Sequence, residues 1–432
     1  MIDPAPAPVI APPHPARWRF VFRALAARDY RIFFAGQTIS LLGTWMQQTA
    51  LPWLIYHLTG SPFLLGLVGA CSFLPTFVLA PIAGVAADRY DRRRILLAGQ
   101  ALALFQALAL GLLTLAGWIG TWQIVVLALL GGLAGAFSLP AAQALVADIV
   151  PDKVDLPSAV ALNSAMTNLA RIAAPALAGI LISVVGDGST GEGICFLLNA
   201  ASYLVVMASL LLIHPVPHIR PPTGGGVLAL REGIGYTFHR ASLRDLLLLA
   251  ALVGLTGVPG TLLPVFANKL DPGDARTFGF LTGATGLGAL LGAAFVASRH
   301  NFQRAGLRIA VATAALGASL IGFASAPTLT PALACRFITG FALAVMMTSC
   351  TSLVQLATDD DKRGRVLSLF GMAFLGMGAL GNLAAGALAE AIGAEQTFLL
   401  YGVSCLTAAL WFLTRVRLLH DLVGAAPPLN AN

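Results

Sequence analysis

Gly84-Val85-Ala86-Ala87-Asp88-Arg89-Tyr90-Asp91-Arg92-Arg93-Arg94 separates two apolar stretches, at about 63–86 and 95–116. Each stretch is at least as long as the roughly 20 apolar residues that an α-helix needs to cross the hydrocarbon core of a bilayer. The short connection between them carries four arginines, and loops rich in arginine stay on the cytoplasmic side of a membrane. This stretch therefore predicts a transmembrane helical hairpin that turns inside the cell.

The rest of the 432-residue chain repeats this pattern. Apolar residues make up 57% of the chain and charged residues 10%, whereas a soluble domain carries about 25% charged residues. Lipid is the solvent that suits so uncharged a surface. We predict an all-α membrane protein with twelve transmembrane helices in two six-helix halves, at approximately 32–57, 63–86, 95–116, 122–147, 157–185, 194–213, 245–267, 277–298, 307–325, 331–355, 365–390 and 397–415.

The distribution of lysine and arginine orients these helices. With the N-terminus in the cytoplasm, 22 of the 26 Lys and Arg residues lie on the cytoplasmic side, Lys269 and Arg276 lie in outer loops, and Arg171 and Arg336 lie within helices. The positive-inside rule then predicts a multi-pass protein of the inner (plasma) membrane with cytoplasmic N- and C-termini. The net charge of +7 is thus a signal of topology, and we expect no nucleic-acid partner.

The longest cytoplasmic connection, at 214–244, divides the chain into six helices before it and six after it. Within this linker, Leu230, Ile234 and Phe238 share one face of an amphipathic helix, which favours a position at the lipid headgroups. Parallel halves joined in this way occur in one large class of transporters. We predict a disordered cytoplasmic tail, a first half, the linker, a second half and a cytoplasmic C-terminal tail, at 1–30, 31–213, 214–244, 245–416 and 417–432.

The opening stretch, which we call the signature loop (84–94), resembles the signature of the major facilitator superfamily, G-x-x-x-D-R-x-G-R-R, in spacing and in position after the second helix. Asp91 stands where that pattern has glycine. The resemblance implies two halves that rock around a central cavity, the mechanism called alternating access. It also implies a conformational gate, a cytoplasmic charge cluster that fastens the halves in the outward-facing state, with Arg92 bridging Asp88 to Asp148. The gate residues are Gly84, Asp88, Arg89, Arg92 and Asp148.

Three further stretches, at 28–37, 231–246 and 363–368, are similar to the exporter branch that includes the enterobactin exporter and macrolide efflux proteins. This resemblance implies export of an amphipathic small molecule, such as a drug, macrolide or siderophore, by proton antiport. A lysophospholipid or other lipid carrier is the alternative. The stretch 171–179 is similar to the proline-containing motif of drug antiporters, with Ala174 replacing a glycine, and a proline-kinked packing helix is its other interpretation.

Polar residues inside the predicted helices are candidates for a substrate cavity, because a mid-bilayer arginine costs about 2.5–3.5 kcal/mol on insertion scales. Arg171 lies near the middle of the fifth helix, where two polar residues share its face, and a second polar stripe runs along the first helix. Hydrogen bonding between helices is the alternative role for both stripes. Arg336 lies nearer the outer face, where its side chain can extend to the interface. The cavity candidates are Gln37, Thr44, Gln48, Asn163, Thr167 and Arg171.

A proton-coupled carrier needs a group that gains and loses a proton as the cavity changes sides. The sequence places no Asp or Glu near the middle of a predicted helix, so the candidates are acids near helix ends: Asp29, Asp148 and Glu390. Each has a structural role as its alternative. Proton coupling is therefore implied by the resemblance alone.

The sequence lacks the residue patterns of enzymes and metal sites. It has no HExxH, CxxC or GxSxG pattern, and its five cysteines show no paired spacing. We expect no catalytic residue, metal or cofactor. The expected partners are a small amphipathic substrate, a proton as coupling ion and the lipid bilayer, and we expect the chain to act as a monomer.

Overall fold

A computed structural model describes residues 22–150, 152–186, 188–214, 226–257, 260–299, 304–359 and 362–424. Nearly all of them lie in α-helices, of which this part of the chain has fourteen. They are α1 (Arg28–Thr59), α2 (Pro62–Arg89), α3 (Arg92–Leu115), α4 (Thr121–Ile149), α5 (Leu156–Val185), α6 (Thr190–Leu212), α7 (Gly226–His239), α8 (Ala241–Thr256), α9 (Leu263–Leu270), α10 (Ala275–Ala297), α11 (Ala305–Ala324), α12 (Leu329–Ala357), α13 (Arg363–Ile392) and α14 (Ala394–Gly424).

All of these helices except α7 belong to membrane spans, of which there are twelve in the described part of the chain. Within the described ranges, eleven stretches are long and apolar enough to cross a bilayer, and one of them, Ala241–Leu270, combines α8 and α9. Helix α1 is the twelfth span: its 32 residues reach about 48 Å at 1.5 Å per residue, although Gln37, Gln47 and Gln48 make it more polar. The predicted all-α fold with two six-helix halves is confirmed. The seventh span was predicted as continuous, but a break separates α8 from α9, where the helix restarts with Pro264 in its first turn.

Equivalent helices pack in the same way in both halves. In the first half, α1 packs on α5 and α6, α2 on α4, and α3 on α4 and α6. In the second half, α8 packs on α13 and α14, α10 on α12, and α11 on α12 and α14. The same set of neighbours, offset by six spans, shows that the fold contains an internal repeat.

The two ends of the bundle differ. The linker helix α7, the start of α1 and the end of α14 lie at one end, which we call the linker end. The short connections after α1, α3, α5, α9, α11 and α13 lie at the opposite end, which we call the far end. Gly60 and Gly186 close α1 and α5 there with φ of 64° and 68°, the left-handed conformation that glycine adopts most readily at a helix C-terminus.

The halves meet along two pairs of helices, α2 with α13 and α5 with α10. Glycines permit these contacts: a β-carbon at Gly386 would lie 2.8 Å from Cα of Gly66, and one at Gly179 would lie 2.7 Å from the carbonyl oxygen of Ala275. Small residues allow helices to approach closely within a membrane. All four glycine and alanine positions lie toward the far end of their helices, so the backbones of the two halves are closest there.

Candidate transport site

The signature loop places a buried ion pair at the linker end of the first half. Arg92 begins α3, and its Nη1 donates to both carboxylate oxygens of Asp148 at 2.7 Å, near the end of α4. The same nitrogen donates to the carbonyl oxygen of Ala144 at 3.3 Å. The two side chains are 9% and 10% exposed, and the ion pair brings each of these nearly buried charges next to an opposite charge. The pair joins two helices of one half.

The departure from the family pattern at Asp91 has a local role. Its side chain accepts hydrogen bonds from the backbone N–H of Arg93 at 2.9 Å and of Arg94 at 3.3 Å. Asp91 is therefore the N-cap of α3 and satisfies two donors that the helix cannot bond itself. Arg93 donates to the carbonyl oxygens of Leu210 and Leu211, so the loop also caps the end of α6.

The other predicted gate residues are less enclosed. Gly84 lies in α2 and has no atom within 4 Å of where a β-carbon would stand. Arg89 is exposed at the end of the same helix. The side chain of Asp88 falls outside the part of the structure that is described.

The polar face of α5 is directed toward α1. The hydroxyl of Tyr30 on α1 donates to Asn163 Oδ1 at 3.4 Å and to the carbonyl oxygen of Ala159 at 3.0 Å. Thr167 donates to the carbonyl oxygen of Asn163 within its own helix. The Asn163 contact is of the interhelical kind that was the alternative to a cavity position.

Arg171 lies on the same face, closer to the far end. Its guanidinium carbon lies 5.1 Å from the centre of the Trp45 ring on α1, within the range of a cation–π contact. The side chain is half-buried, and its Nε has no hydrogen-bond partner in the described residues. A cation and donor next to an aromatic face is suited to a molecule that is partly polar and partly apolar.

The three candidates on α1 have different surroundings. Gln48 is exposed, and Gln37 is half-buried with an unpartnered Oε1. Thr44 lies 3.2 Å from the hydroxyl of Tyr203 on α6. Thr44 thus belongs to contacts inside the first half, whereas Gln37 and Gln48 keep free polar atoms.

A polar chain crosses the first half; sequence reasoning placed Gln47 in the polar stripe of the first helix but missed its partners on the other helices. Gln47 on α1 donates to Gln106 on α3 at 2.9 Å and accepts from Asn199 on α6 at 2.8 Å. Ser202, one turn further along α6, donates to the side chain of Asn199 at 3.1 Å. We call Gln47, Gln106, Asn199 and Ser202 the polar chain. The available signal was an amide side chain within each of two mostly apolar spans, Gln106 in the third and Asn199 in the sixth.

Two of the predicted proton-coupling acids lie at opposite ends of the molecule. Asp29 accepts from the backbone N–H of His214 at 3.1 Å, at the linker end. Glu390 accepts from the Ser61 hydroxyl at 3.1 Å and from the Phe63 N–H at 3.2 Å, at the far end and across the two halves. The third candidate, Asp148, is the partner of Arg92.

Two further acids are more deeply buried than these. Glu192, in the first turn of α6, and Asp245, the fifth residue of α8, are 0% and 2% exposed. Asp245 lies 3.4 Å from Arg244 and 3.9 Å from Arg415. Sequence reasoning missed Glu192 because the sixth helix begins before the predicted residue 194, and it missed Asp245 because an acid at a predicted boundary resembles a loop residue.

The expectation for Arg336 was wrong. Its side chain does not extend to the membrane interface but is enclosed, with the residue 2% exposed. Its Nε donates to the Thr285 hydroxyl at 3.1 Å, and its guanidinium lies 5.5 Å from the centre of the Phe323 ring. Neighbouring helices α10 and α11 cover the arginine before it can reach the interface.

Side-chain contacts between the halves cluster at the far end. The Trp53 and Phe278 rings stack there at 6.0 Å with an interplanar angle of 15°. Ser183 donates to Asp274 at 2.5 Å, and Glu390 accepts from Ser61. We call these three contacts the far seam.

Polar contacts at the linker end have a different pattern. Arg240, which follows α7, donates to Asp359 at 3.1 Å and to the carbonyl oxygen of Ala357 at 2.9 Å. Arg365 donates to Glu232 at 2.6 Å. These bonds fasten the linker helix to the second half, and Arg92–Asp148 lies within the first, so none of them joins the two halves.

Twelve spans in two repeated halves, with polar and charged side chains enclosed between them, define a membrane transporter of the major facilitator fold. The chain belongs to the transmembrane secretion effector family of that superfamily, whose profile matches residues 21–424. The resemblance seen in the signature loop is thereby confirmed.

Characterised relatives match nearly the whole chain. The staphyloferrin A transporter of Staphylococcus aureus is 26% identical over 389 residues, covering 89% of this chain and 96% of the relative. The multidrug efflux pump Tap of Mycolicibacterium fortuitum is 29% identical, with 89% and 95% covered. Macrolide efflux protein A of Streptococcus pyogenes is 24% identical, with 87% and 93% covered. These relatives are transporters of the efflux and secretion type, and none is an enzyme.

Solved structures agree on the fold. An inward-facing, occupied structure of a bacterial homolog of the human lysosomal transporter Spinster has a TM-score of 0.72 at 15% identity, covering 90% of this chain and 97% of that one. The nucleoside transporter NupG has a TM-score of 0.70 at 14% identity, with 90% and 98% covered. At such identities the similarity concerns the fold alone.

Proposed function

We propose that this protein is a secondary active transporter that exports amphipathic small molecules by alternating access and proton antiport. The efflux relatives and the exporter-like stretches of the sequence support this proposal. The distribution of lysine and arginine supports an inner-membrane location with the linker end and both termini in the cytoplasm. We further propose that the chain works as a monomer, with the bilayer as its other partner.

The observation that carries the proposal is the unequal closure of the two ends. The far seam joins the halves through Trp53–Phe278, Ser183–Asp274 and Ser61–Glu390. The named polar bonds at the linker end stay within one half or attach the linker to the second half. Among the described residues, the far seam joins the halves at one end, which supports a cavity that opens toward the cytoplasm, where an exporter takes up its substrate.

Arg171 and Trp45 are the centre of the proposed substrate site. The half-buried guanidinium with a free Nε offers a hydrogen-bond donor and a positive charge, and the ring beside it offers an apolar face. Such a combination suits an amphipathic molecule, since polar groups fix its orientation while apolar contacts supply area. Gln37 and Gln48 on α1 have polar atoms available for hydrogen bonds to a substrate. The other candidates lie on the same two helices as Trp45 and Arg171: Thr44 on α1, and Asn163 and Thr167 on α5.

The Arg92–Asp148 pair is the centre of the proposed gate. Because both side chains are nearly buried, the pair holds the linker ends of α3 and α4 in a fixed geometry that the opposite half can meet when the linker end closes. Asp29, Asp148 and Glu390 remain the proposed proton-coupling acids. Glu390 has the strongest geometric support, because its Oε2 accepts two hydrogen bonds that cross the far seam.

A lipid carrier is the second candidate, and the unpartnered Nε of Arg171 is the observation that favours it. A guanidinium is a good ligand for phosphate oxygens because it can donate two parallel hydrogen bonds. A lysophospholipid would bring such a phosphate together with an acyl chain for the apolar surroundings.

Susceptibility of an efflux-deficient bacterial host that expresses the protein is the deciding experiment. We expect the wild type to raise resistance to amphipathic drugs and macrolides and to lower their accumulation, and Arg171→Ala to lose most of this effect. Arg276→Ala is the matched control, because Arg276 is an exposed arginine at the far end and should behave as wild type. A wild type that protects against no compound, but moves a labelled lysophospholipid in proteoliposomes, would overturn export in favour of the lipid carrier.

A further inference from the structure

A buried acid and a half-exposed histidine meet at the far end of the first half. The Glu192 side chain is 1% exposed, and neither carboxylate oxygen has a hydrogen-bond partner in the described residues. Nδ1 of His57, near the end of α1, lies 3.7 Å from Oε1 of Glu192, just beyond hydrogen-bond length. A charged carboxylate buried without donors is costly, so burial in this conformation disfavours the ionised form of Glu192.

The surroundings of Glu192 offer little else that is charged. Helices α1, α3 and α5 pack against α6. At this level α3 contacts α6 through Leu115, next to Gly193, and α5 contacts it through the Ile182 backbone, next to Gly191. Among the described residues, the titratable groups shown near Glu192 are His57 on α1 and Cys195 on α6 itself. His57 is therefore the neighbour that can carry a positive charge.

His57 connects Glu192 to the far seam. It lines a cavity of about 220 Å³ together with Trp53 of the first half and Asn268 and Gly273 of the second half. Trp53 lies four residues before His57 and so shares its face of α1, and it is the residue that stacks on Phe278. His57 is already half-exposed, and we expect separation of the halves at the far end to widen this cavity and let water pass His57 to Glu192.

The second half contains a matched pair with different chemistry. Lys269 at the end of α9 forms an ion pair with Glu395 in the first turn of α14, the helices equivalent to the end of α1 and the start of α6. Those side chains are 58% and 44% exposed. In the first half the acid is 1% exposed and its partner is a histidine. The repeat thus has one exposed lysine–glutamate pair and one buried acid beside a histidine.

We propose that Glu192 is a proton-binding site that controls the far seam. In the open state, a hydronium ion in the cavity gives a proton to the Glu192 carboxylate: an O–H bond of hydronium breaks, an O–H bond of the carboxyl group forms, water is released, and the side-chain charge changes from −1 to 0. The neutral carboxyl can then be buried, so protonation permits the far seam to close. This inference rests on the alternating-access cycle proposed above but not on the identity of the substrate.

The proposal predicts that far-side pH shifts the balance between the open and closed far end. Because one proton is involved, the ratio of the two states can change by at most tenfold per pH unit. Spin labels at Trp118→Cys and Thr328→Cys, exposed positions in far-end connections of the two halves, report the separation in full-length protein in liposomes. The five native cysteines are buried or half-buried, so the introduced ones react preferentially.

The experiment measures the distance between the two spin labels by pulsed electron paramagnetic resonance, without substrate, in buffers from acidic to alkaline pH. We expect the wild type to gain the long distance as pH rises, and Glu192→Gln, which is always neutral, to keep the short distance throughout. Glu395→Gln is the control and should follow the wild type. Glu192→Asp keeps a titratable carboxyl and should retain a pH response, which separates loss of the proton from damage to the fold.

Two results would overturn the inference: a Glu192→Gln variant that follows the wild-type pH course, or a wild type that exchanges between both distances independently of pH. Either result leaves the proposed export intact, since export is measured separately. A pair of labels that shows one distance under all conditions, with or without an exported drug, would contradict alternating access itself.

Discussion

The two halves end their fourth and tenth spans with the same device in different surroundings. At the end of α4, Arg92 donates to a helix carbonyl and to Asp148, and both side chains are nearly buried. At the end of α12, Arg240 donates to the carbonyl of Ala357 and to Asp359, with the two ionic side chains 43% and 52% exposed. An arginine at a helix C-terminus is favourable in both places. The difference in burial decides how much each pair contributes to the free energy of unfolding.

The interiors of the halves differ as well, on equivalent helices. The first half joins α1, α3 and α6 through the amides of the polar chain, Gln47, Gln106 and Asn199. The second half joins α9, α11 and α14 through Phe266, Phe323 and Phe398, whose ring centres lie 4.7 to 5.3 Å apart. Amide contacts fix helix orientation through directed bonds, whereas the phenyl cluster holds its helices by packing. The same helices therefore touch in both halves, but the side chains that make the contacts are different.

The largest effect should come from breaking the buried pair of the first half. Arg92→Leu leaves the Asp148 carboxylate without its main compensating charge, which typically costs about 3–5 kcal/mol of unfolding free energy. Denaturant unfolding in detergent micelles measures the loss. The double variant Arg92→Leu with Asp148→Leu should recover a substantial part of it, since replacing both ions by apolar groups is often close to neutral. A double variant as unstable as the single one would show that the charge of Asp148 is not the source of the loss.

Removing a ring from the phenyl cluster (Phe266, Phe323 and Phe398) should cause the next largest loss of unfolding free energy. Phe398 is fully buried, and Phe398→Ala opens a cavity between three helices, with an expected loss of about 3 kcal/mol, the lower end for such changes. The same unfolding measurement applies. Phe398→Leu keeps much of the volume and should lose less than about 1.5 kcal/mol. Equal losses for the two variants would mean that packing volume is not what the cluster provides.

Cutting the polar chain of the first half should have a smaller effect. Asn199 donates to Gln47 and accepts from Ser202, and interhelical hydrogen bonds in membrane proteins average about 0.6 kcal/mol with a maximum near 1.7. Asn199→Ala should therefore lose about 1–2 kcal/mol of unfolding free energy. Asn168→Ala is the control, because Asn168 bonds only to a carbonyl of its own helix. A loss from Asn199→Ala larger than that from Phe398→Ala would reverse the comparison between the two interiors.

The contrast between the halves marks the limit of what the sequence predicts. The length of apolar stretches gives the spans, because it is a local feature, and the family resemblance of the signature loop implies the cluster of Arg92 with Asp148. The polar chain joins residues 47, 106 and 199 from three helices. Periodicity assigns each to a helix face but does not say which face meets which. Burial is equally non-local: Arg336 is enclosed by Thr285 and Phe323 on other helices, and nothing in its own span reveals them.

Helix ends show the same limit at short range. Glu192 follows the N-cap Ser189 by three residues, and a count of apolar residues assigns it to the preceding loop. Its burial results from the way α1 packs on α6, which places His57 over it. A helix-start signal of a serine followed three residues later by glutamate was present in the sequence. That signal would have moved the predicted start of the sixth span to include the acid.

The smallest effect should come from the exposed pair of the second half, and its sensitivity to salt completes the comparison with Arg92–Asp148. Asp359→Asn removes the charge that faces Arg240 while keeping the side-chain shape, and exposed pairs contribute only about 0–1 kcal/mol. Because salt screens exposed charges much more than buried ones, raising the salt concentration should abolish the difference between Asp359→Asn and wild type. The loss caused by Arg92→Leu should persist in the same buffer. A salt-independent loss at Asp359 would instead show that its hydrogen bond from Tyr236, at 2.8 Å, holds the linker helix in place more than the charge does.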